Sequence, residues 1–169
     1  MEDYEMNEVI KGVIIFDTNF ITENENNLKE IVEKLSKKYD VFITKISLEE
    51  KISQKYLELR KYYEKVNSLR EKIDIEIKKE LDEQYELDKI RITQYYLQQF
   101  GERIIPFYPS EDTLQIVLNR LYKKLPPFID EEKASDKGLK DTLIWLSILN
   151  HFKNNREKNK QFFICCRCT

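Results

Sequence analysis

Glycine and proline are scarce in this sequence of 169 residues, which contains three glycines and four prolines. None of them lies between residues 46 and 100. Both residue types interrupt helices, so a stretch of this length without either predicts long helices, two or three in number. The sequence also shows no low-complexity tract and no internal repeat.

Cysteine, histidine and long apolar runs are also rare. The three cysteines all lie in the last five residues, CCRCT, where they cannot cross-link the interior and lack the spacing of a zinc motif. This pattern predicts a reducing, cytoplasmic location and a tail that is frayed, truncated or not native. No apolar run of about 18 residues is present, and the N-terminus MEDYEMNE has no apolar signal core, so no membrane span is expected. The single histidine, His151, lies beside Leu149 and Phe152 and is predicted to pack rather than to catalyse.

Neither sign of charge dominates. The chain has 29 basic and 31 acidic residues and a formal net charge of −2. The net charge therefore does not indicate a nucleic-acid partner. Binding of nucleic acid would need a local basic patch. Apolar residues make up 41% of the chain, enough for the core of one domain over residues 1–169.

The apolar residues follow strand-like and helix-like patterns in turn. The run VIIF at 13–16 predicts a strand covered on both faces. A helical pattern at 26–39, capped by Asn26 or Asn27, leads to a second strand, VFI at 41–43. Strand, helix and strand at this spacing predict a βαβ unit and hence a parallel sheet. RIIPFY and QFFIC offer further strands, with helices after Ser110 and from near Gly138.

We therefore predict an α/β fold, with a parallel sheet of about four strands, flanking helices and a helical arm inserted after the second strand. The arm is expected over about residues 51–100, beside the sheet rather than in its core. Apolar residues recur every three or four positions from Leu48 to Val66 and again from Ile73 to Leu81. A break between helices is expected near Asn67–Ser68.

Acidic residues cluster where the predicted strands end and helices begin. Asp17 directly follows the first strand, Glu49 and Glu50 begin the arm, and Asp141 is expected in the first turn of the helix near Gly138, with Asp136 just before it. Ligands of open α/β sheets bind at this edge, and oxygen-rich sites suit Mg²⁺ or Mn²⁺. The alternative for each acid is a helix-capping role. Asp17 follows four apolar residues, where burial of an unpaired charge would be costly.

Three segments resemble the motifs of the PIN domain, a family of metal-dependent ribonucleases. VIIFDTNFI at 13–21 resembles its first strand, which ends in Asp with Thr or Ser and Asn nearby. ISLEE at 46–50 resembles its second motif, in which Glu50 matches better than Glu49. GLKDTLIWLSIL at 138–149 resembles its third, which includes Asp141. With LPPF before the third motif and a helical insertion between the second and third, the whole chain is similar to one PIN-like subgroup.

The resemblance implies an endoribonuclease that hydrolyses phosphodiester bonds, chiefly of single-stranded RNA. It implies Asp17, Glu50 and Asp141 as catalytic residues and as ligands of Mg²⁺ or Mn²⁺, with Asp136 as a further candidate. The family usually has another Asp after its fourth strand, where this sequence has CCRCT. A catalytically impaired PIN-like module that acts in protein or RNA binding therefore stays open as the alternative.

Substrate contacts are expected from polar and basic side chains. Thr18 or Asn19 would hold a water or a phosphate oxygen. Lysines spaced four apart along the arm form a candidate basic surface, although alternating glutamates also fit a solvated, salt-bridged helix. Family members often pair, so the resemblance also implies a homodimer. A toxin, an RNA-processing enzyme or a phage-defence effector would each fit the resemblance. The basic candidates are Lys51, Lys55, Lys61, Lys65 and Lys140, with Arg120, Lys123 and Lys124 as a second cluster.

Overall fold

The computed structural model describes residues 12–70, 75–126, 128, 135–154 and 162–165. Its strands are β1 (Val13–Phe16), β2 (Asp40–Thr44), β3 (Ile104–Ile105) and β4 (Phe162–Cys165). They form one sheet in the order β3-β2-β1-β4, and every neighbouring pair is parallel. The predicted α/β fold with a parallel sheet of about four strands is confirmed.

Helices connect these strands, as a parallel sheet requires. The α-helices within the described ranges are α1 (Thr18–Glu23), α2 (Leu28–Ser36), α3 (Lys45–Arg70), α4 (Ile75–Phe100), α5 (Glu111–Tyr122) and α6 (Ser135–Asn154). Short 3₁₀ turns lie at Glu25–Asn27 and Gly101–Arg103. No helix in these ranges has the length and apolar character needed to cross a membrane.

Both faces of the sheet are covered, which explains why β1 is apolar without alternation. Ile14 and Phe16 point to one face, where they join a core formed with α1, α2 and the sheet ends of α3 and α4. Val13 and Ile15 point to the other face, where they pack against Ile148 and Phe152 of α6, among others. His151 makes an edge-to-face contact with Phe42 of β2, so the predicted packing role of this histidine is confirmed.

The helical arm consists of two antiparallel helices, α3 and α4. The tyrosine hydroxyl of Tyr56 hydrogen-bonds to the Lys89 carbonyl and to Thr93, and that of Tyr63 donates to Asp88. The predicted division into successive helices is confirmed, but α3 continues through Asn67–Ser68 to Arg70, and α4 begins at Ile75, a few residues later than predicted. Ser68 fits within the helix because its hydroxyl donates to the Lys65 carbonyl.

The base of the arm is part of the core, contrary to the prediction that the arm lies beside it. Leu48 and Ile52 of α3 and Tyr96 and Phe100 of α4 are buried against the sheet. The arm therefore begins as a wall of the core and projects beyond it. Gly101 ends α4 with a φ of +52°, a left-handed conformation in which glycine is favoured.

Candidate functional site

The candidate site lies at the carboxyl edge of the sheet, where β1 and β2 end side by side. Phe16 of β1 is in register with Ile43 of β2, so Asp17 and the start of α3 leave the sheet at the same level. β4 is also in register there, with Cys165 opposite Phe16. Residues 166–169, which follow β4 and contain no acid, lie outside the described residues.

Asp17 is the N-cap of α1. Its Oδ1 accepts a hydrogen bond of 2.8 Å from the backbone N–H of Phe20. Partial burial raises the pKa of the Asp17 carboxyl, the backbone N–H groups of Phe20 and Asn19 oppose this, and the charges of Glu23 and Glu50 raise it further. Asp17 therefore caps a helix, as one prediction proposed. Its charge also lies in a partly buried, acidic environment.

Glu50 reaches the same place from α3 and is held by two neighbours. The Thr18 hydroxyl donates a hydrogen bond of 2.8 Å to its Oε2. The Lys140 ammonium, which comes from α6, lies 3.2 Å from its Oε1. Three segments distant in sequence are thus brought together: the start of α1, the second turn of α3 and the second turn of α6.

Glu49 lies away from this place, although it is adjacent in sequence. Its side chain is 63% exposed and forms an ion pair with Lys45, one helical turn earlier. Thr44 caps α3 by accepting the N–H of Ser47, and this fixes the phase in which the helix leaves the sheet. That phase turns Glu50 toward Thr18 and leaves Glu49 in solvent.

Asp141 and Asp136 lie deeper in their helix than expected. Because α6 begins at Ser135, Asp136 is inside the helix instead of before it, and Asp141 is in the second turn instead of the first. Asp141 is half-buried and follows Lys140, the residue that contacts Glu50. The side chain of Asp136 lies outside the described residues.

Some of the side chains predicted to contact the substrate instead form contacts within the protein. The buried hydroxyl of Thr18 is engaged with Glu50 and with the Ser47 carbonyl, while Asn19 is exposed. Lys55 forms ion pairs with Glu25 at 2.8 Å and Glu58 at 2.9 Å. The exposed Lys61 and Lys65 lie farther along the arm. These contacts favour a structural role for Lys55 and a role for Thr18 in orienting Glu50.

A buried ion-pair network adjoins the site. Lys51 was expected on a solvent-facing basic surface, but its side chain is only 1% exposed. Its ammonium lies 3.3 Å from Glu25 Oε2 and 3.2 Å from the hydroxyl of Thr22 in α1. The hydroxyl of Tyr96 in α4 donates to the other oxygen of Glu25 at 2.6 Å. The network therefore joins α1, the following 3₁₀ turn, α3 and α4.

The neighbouring side chains keep Glu25 of this network ionised. Burial raises the pKa of Glu25, but hydrogen bonds from Lys55 and Tyr96 and the charges of Lys51 and Lys55 outweigh it, so the pKa is lowered overall. Glu25 is therefore held as a carboxylate between two ammonium groups. A sequence signal for Lys51 existed: it lies three residues after Leu48 and next to Ile52, on the apolar side of α3.

The carboxylates have the donor chemistry of a site for a hard divalent cation. Asp17 and Glu50 offer oxygen ligands, and the charge of Glu50 is one of the causes that raise the pKa of Asp17, which a cation would oppose. Lys140 already places a positive charge against Glu50. Among the residues that the structure describes, no group of three His, Cys, Asp or Glu side chains is arranged to hold a metal ion.

Comparison with known families gives one match. The family model of the PIN domain matches residues 14–165, which includes the three motifs, the helical arm and all four strands except Val13. Comparison with curated proteins and with solved structures returned no significant match.

Proposed function

This chain belongs to the PIN-domain family, whose members are in general nucleases, and we propose that it is a Mg²⁺- or Mn²⁺-dependent endoribonuclease acting on single-stranded RNA. The observation that carries the proposal is the junction of Asp17 and Glu50. The first and second family motifs each supply one of these acids, and the hydroxyl of Thr18, next to Asp17, holds Glu50 in place.

The chain's own residues would act mainly by position. Capping of α1 fixes Asp17, and Thr18 fixes one oxygen of Glu50. Lys140 contacts the other oxygen and is placed to attract a substrate phosphate beside the carboxylates. Asp17, Glu50 and Asp141, with Asp136 as a further candidate, would hold Mg²⁺ or Mn²⁺, which supplies Lewis-acid polarisation of a phosphoryl oxygen and an activated water.

Substrate outside the reacting phosphate would be held by basic side chains. Lys61 and Lys65 remain candidates on the arm because both are exposed. Asn19 is exposed next to Thr18 and remains a candidate for a phosphate oxygen. Lys55 and Thr18 are engaged inside the protein, so they contribute to the position of other side chains and less to substrate binding.

The proposal is tested by direct metal binding to two neighbouring variants. Glu50→Gln is expected to weaken Mn²⁺ binding roughly tenfold or more, since even indirect support of a metal ligand is worth that much. Glu49→Gln is the matched control and should bind Mn²⁺ like the wild type, because Glu49 faces solvent beside Lys45. Paramagnetic resonance of bound Mn²⁺ measures both, and RNA cleavage by the wild type should stop in EDTA. Equal affinities in the two variants would contradict the proposal.

A second candidate function is a catalytically impaired PIN-like module that binds protein or RNA. The observation in its favour is that both oxygens of Glu50 already have partners, Thr18 and Lys140. In that case Lys140 takes the place that a divalent cation would have. A folded wild-type chain that binds RNA but neither binds Mn²⁺ nor cleaves would select this candidate.

A further inference from the structure

A groove of about 380 Å³ lies between α5 and α6, outside the candidate site. Trp145, whose exposed fraction is 51%, forms part of its wall and is the only tryptophan of the chain. Thr113 and Val117 of α5 are buried, whereas Ile116 on its groove side is 44% exposed. The groove is lined by Ile116, Arg120, Thr142, Trp145, Leu146 and Leu149.

Basic residues lie toward the C-terminal end of α5 beside this groove, whereas the acids Glu111 and Asp112 lie in the first turn of the same helix. From residue 113 to residue 126, every charged residue is basic, although the whole chain has a net charge of −2. Arg120 lines the groove, and Lys123 and Lys124 follow it at the end of α5, where both are exposed. A ligand that combines negative charge with flat apolar groups therefore complements this surface. An apolar helix without acidic residues would complement it less well.

The groove is continuous with the candidate site along α6. Trp145 lies four residues after Asp141, so the two side chains are neighbours on one helix face, with Cβ atoms about 6 Å apart. The preceding residue, Lys140, contacts Glu50. A chain bound at the acidic residues and extending along α6 would thus meet the indole ring within one helical turn.

We propose that this groove binds a single strand of nucleic acid next to the cleavage site, with a base stacked on Trp145 and a phosphate bound by Arg120. The inference rests on the proposed function, because it assigns the strand that the acidic residues would cleave. Stacking on an exposed aromatic ring is available to every base, so the groove contributes affinity with little sequence preference. The guanidinium of Arg120 already donates to the Pro126 carbonyl, which holds it at the groove.

The test uses Trp145 as its own reporter, without metal. A single-stranded RNA of about ten nucleotides, and the DNA of the same sequence, are titrated into the full chain in EDTA, where cleavage cannot occur. We expect saturable quenching of tryptophan emission, weakened by added salt. A titration of the protein alone, followed by sedimentation, measures whether the groove instead joins two copies.

Variants assign the binding to the groove. Trp145→Leu keeps an apolar side chain and should raise the Kd of a labelled RNA strand roughly 5- to 100-fold, whereas Trp145→Phe keeps a ring and should restore most of the affinity. Arg120→Gln should reduce the salt dependence by about 0.7 in slope, as expected for one lost phosphate contact. Tyr62→Leu on the arm is the matched control, because Tyr62 is an exposed aromatic residue away from the groove.

The outcomes separate this inference from the nuclease proposal. Quenching of the wild type in EDTA, together with binding of the labelled strand that the Leu variant loses and the Phe variant keeps, supports the groove even if the chain never cleaves RNA. Metal-dependent cleavage without quenching overturns the groove and leaves the nuclease proposal intact. The groove proposal is also overturned if Tyr62→Leu weakens binding and Trp145→Leu does not, or if the emission follows protein concentration and not added strand.

Discussion

Replacing Asp17 by Asn is expected to lower the rate of RNA cleavage by roughly 100-fold or more. Loss of a carboxylate ligand removes part of a metal's Lewis-acid contribution, which amounts to several kcal/mol, and each 1.4 kcal/mol or so corresponds to a factor of about ten in rate. Asn caps a helix as well as Asp does, so α1 should keep its start. The loss should therefore come from chemistry and not from unfolding, and single-turnover cleavage measures it.

The stability of the same variant gives the independent check. A raised pKa means that the ionised Asp17 is disfavoured in the folded state relative to the unfolded chain, so removal of the charge should leave the melting temperature in EDTA unchanged or higher. With an assumed Kd of about 1 mM, about 10 mM Mg²⁺ would stabilise the wild type by roughly 1.4 kcal/mol. This corresponds to a rise in melting temperature of roughly 3–6 °C, most of which the variant should lose.

Glu23→Gln is the matched control for this prediction. It removes an exposed carboxylate of α1 whose charge also raises the pKa of Asp17, without touching a proposed ligand. Cleavage by this control should persist. Equal residual rates in the wild type and in Asp17→Asn would mark the activity as contamination. A lower melting temperature of Asp17→Asn in EDTA, with no Mg²⁺ response in the wild type, would show that Asp17 is only a helix cap.

The second large effect is expected at Glu25, away from the proposed chemistry. Glu25→Ala leaves the ammonium of Lys51 buried at the base of the arm without its carboxylate. Removal of one partner of a buried pair typically costs about 3 kcal/mol or more in the free energy of unfolding. For a domain of this size that lowers the melting temperature by roughly 6–12 °C, which thermal denaturation measures.

Two comparisons isolate the reason for this loss. Glu49→Ala breaks the exposed pair with Lys45 and should change the free energy of unfolding by less than about 0.5 kcal/mol. Adding Lys51→Met to Glu25→Ala removes the stranded charge and should recover part of the loss, as a double-mutant cycle would record. If Glu25→Ala and Glu49→Ala lose the same small amount, the network does not hold the arm to the core.

The Glu25 network also predicts how stability depends on pH. Because its pKa is lowered in the folded state, the contribution of Glu25 is present above the ordinary carboxyl pKa of 4.5 and is lost as the pH falls through the folded value. The melting temperature of the wild type should therefore fall on acidification below that pH. Glu25→Gln should be less stable near neutral pH and should lack this part of the acid dependence.

Local pattern alone determined the order of elements and the family of this chain. A run of four apolar residues ending in Asp17 predicted a strand covered on both faces, and this is how β1 lies between the helices. The absence of glycine and proline predicted the long helices of the arm. These features depend on residues close in sequence, so the sequence shows them directly.

The tertiary structure decided which side chains meet. Glu49 and Glu50 are adjacent, and only the phase of α3 beyond Thr44 turns Glu50 toward Thr18 and leaves Glu49 in solvent. Lysine usually lies at the protein surface, so the sequence did not show that Lys51 is buried. It is buried because Glu25, in a turn before β2, supplies its counter-charge. Such contacts depend on packing between segments that are distant in sequence. Burial of one charge is costly in free energy, and it becomes tolerable only when another element places an opposite charge beside it. The sequence shows the phase of each helix only approximately, whereas the packed structure fixes it.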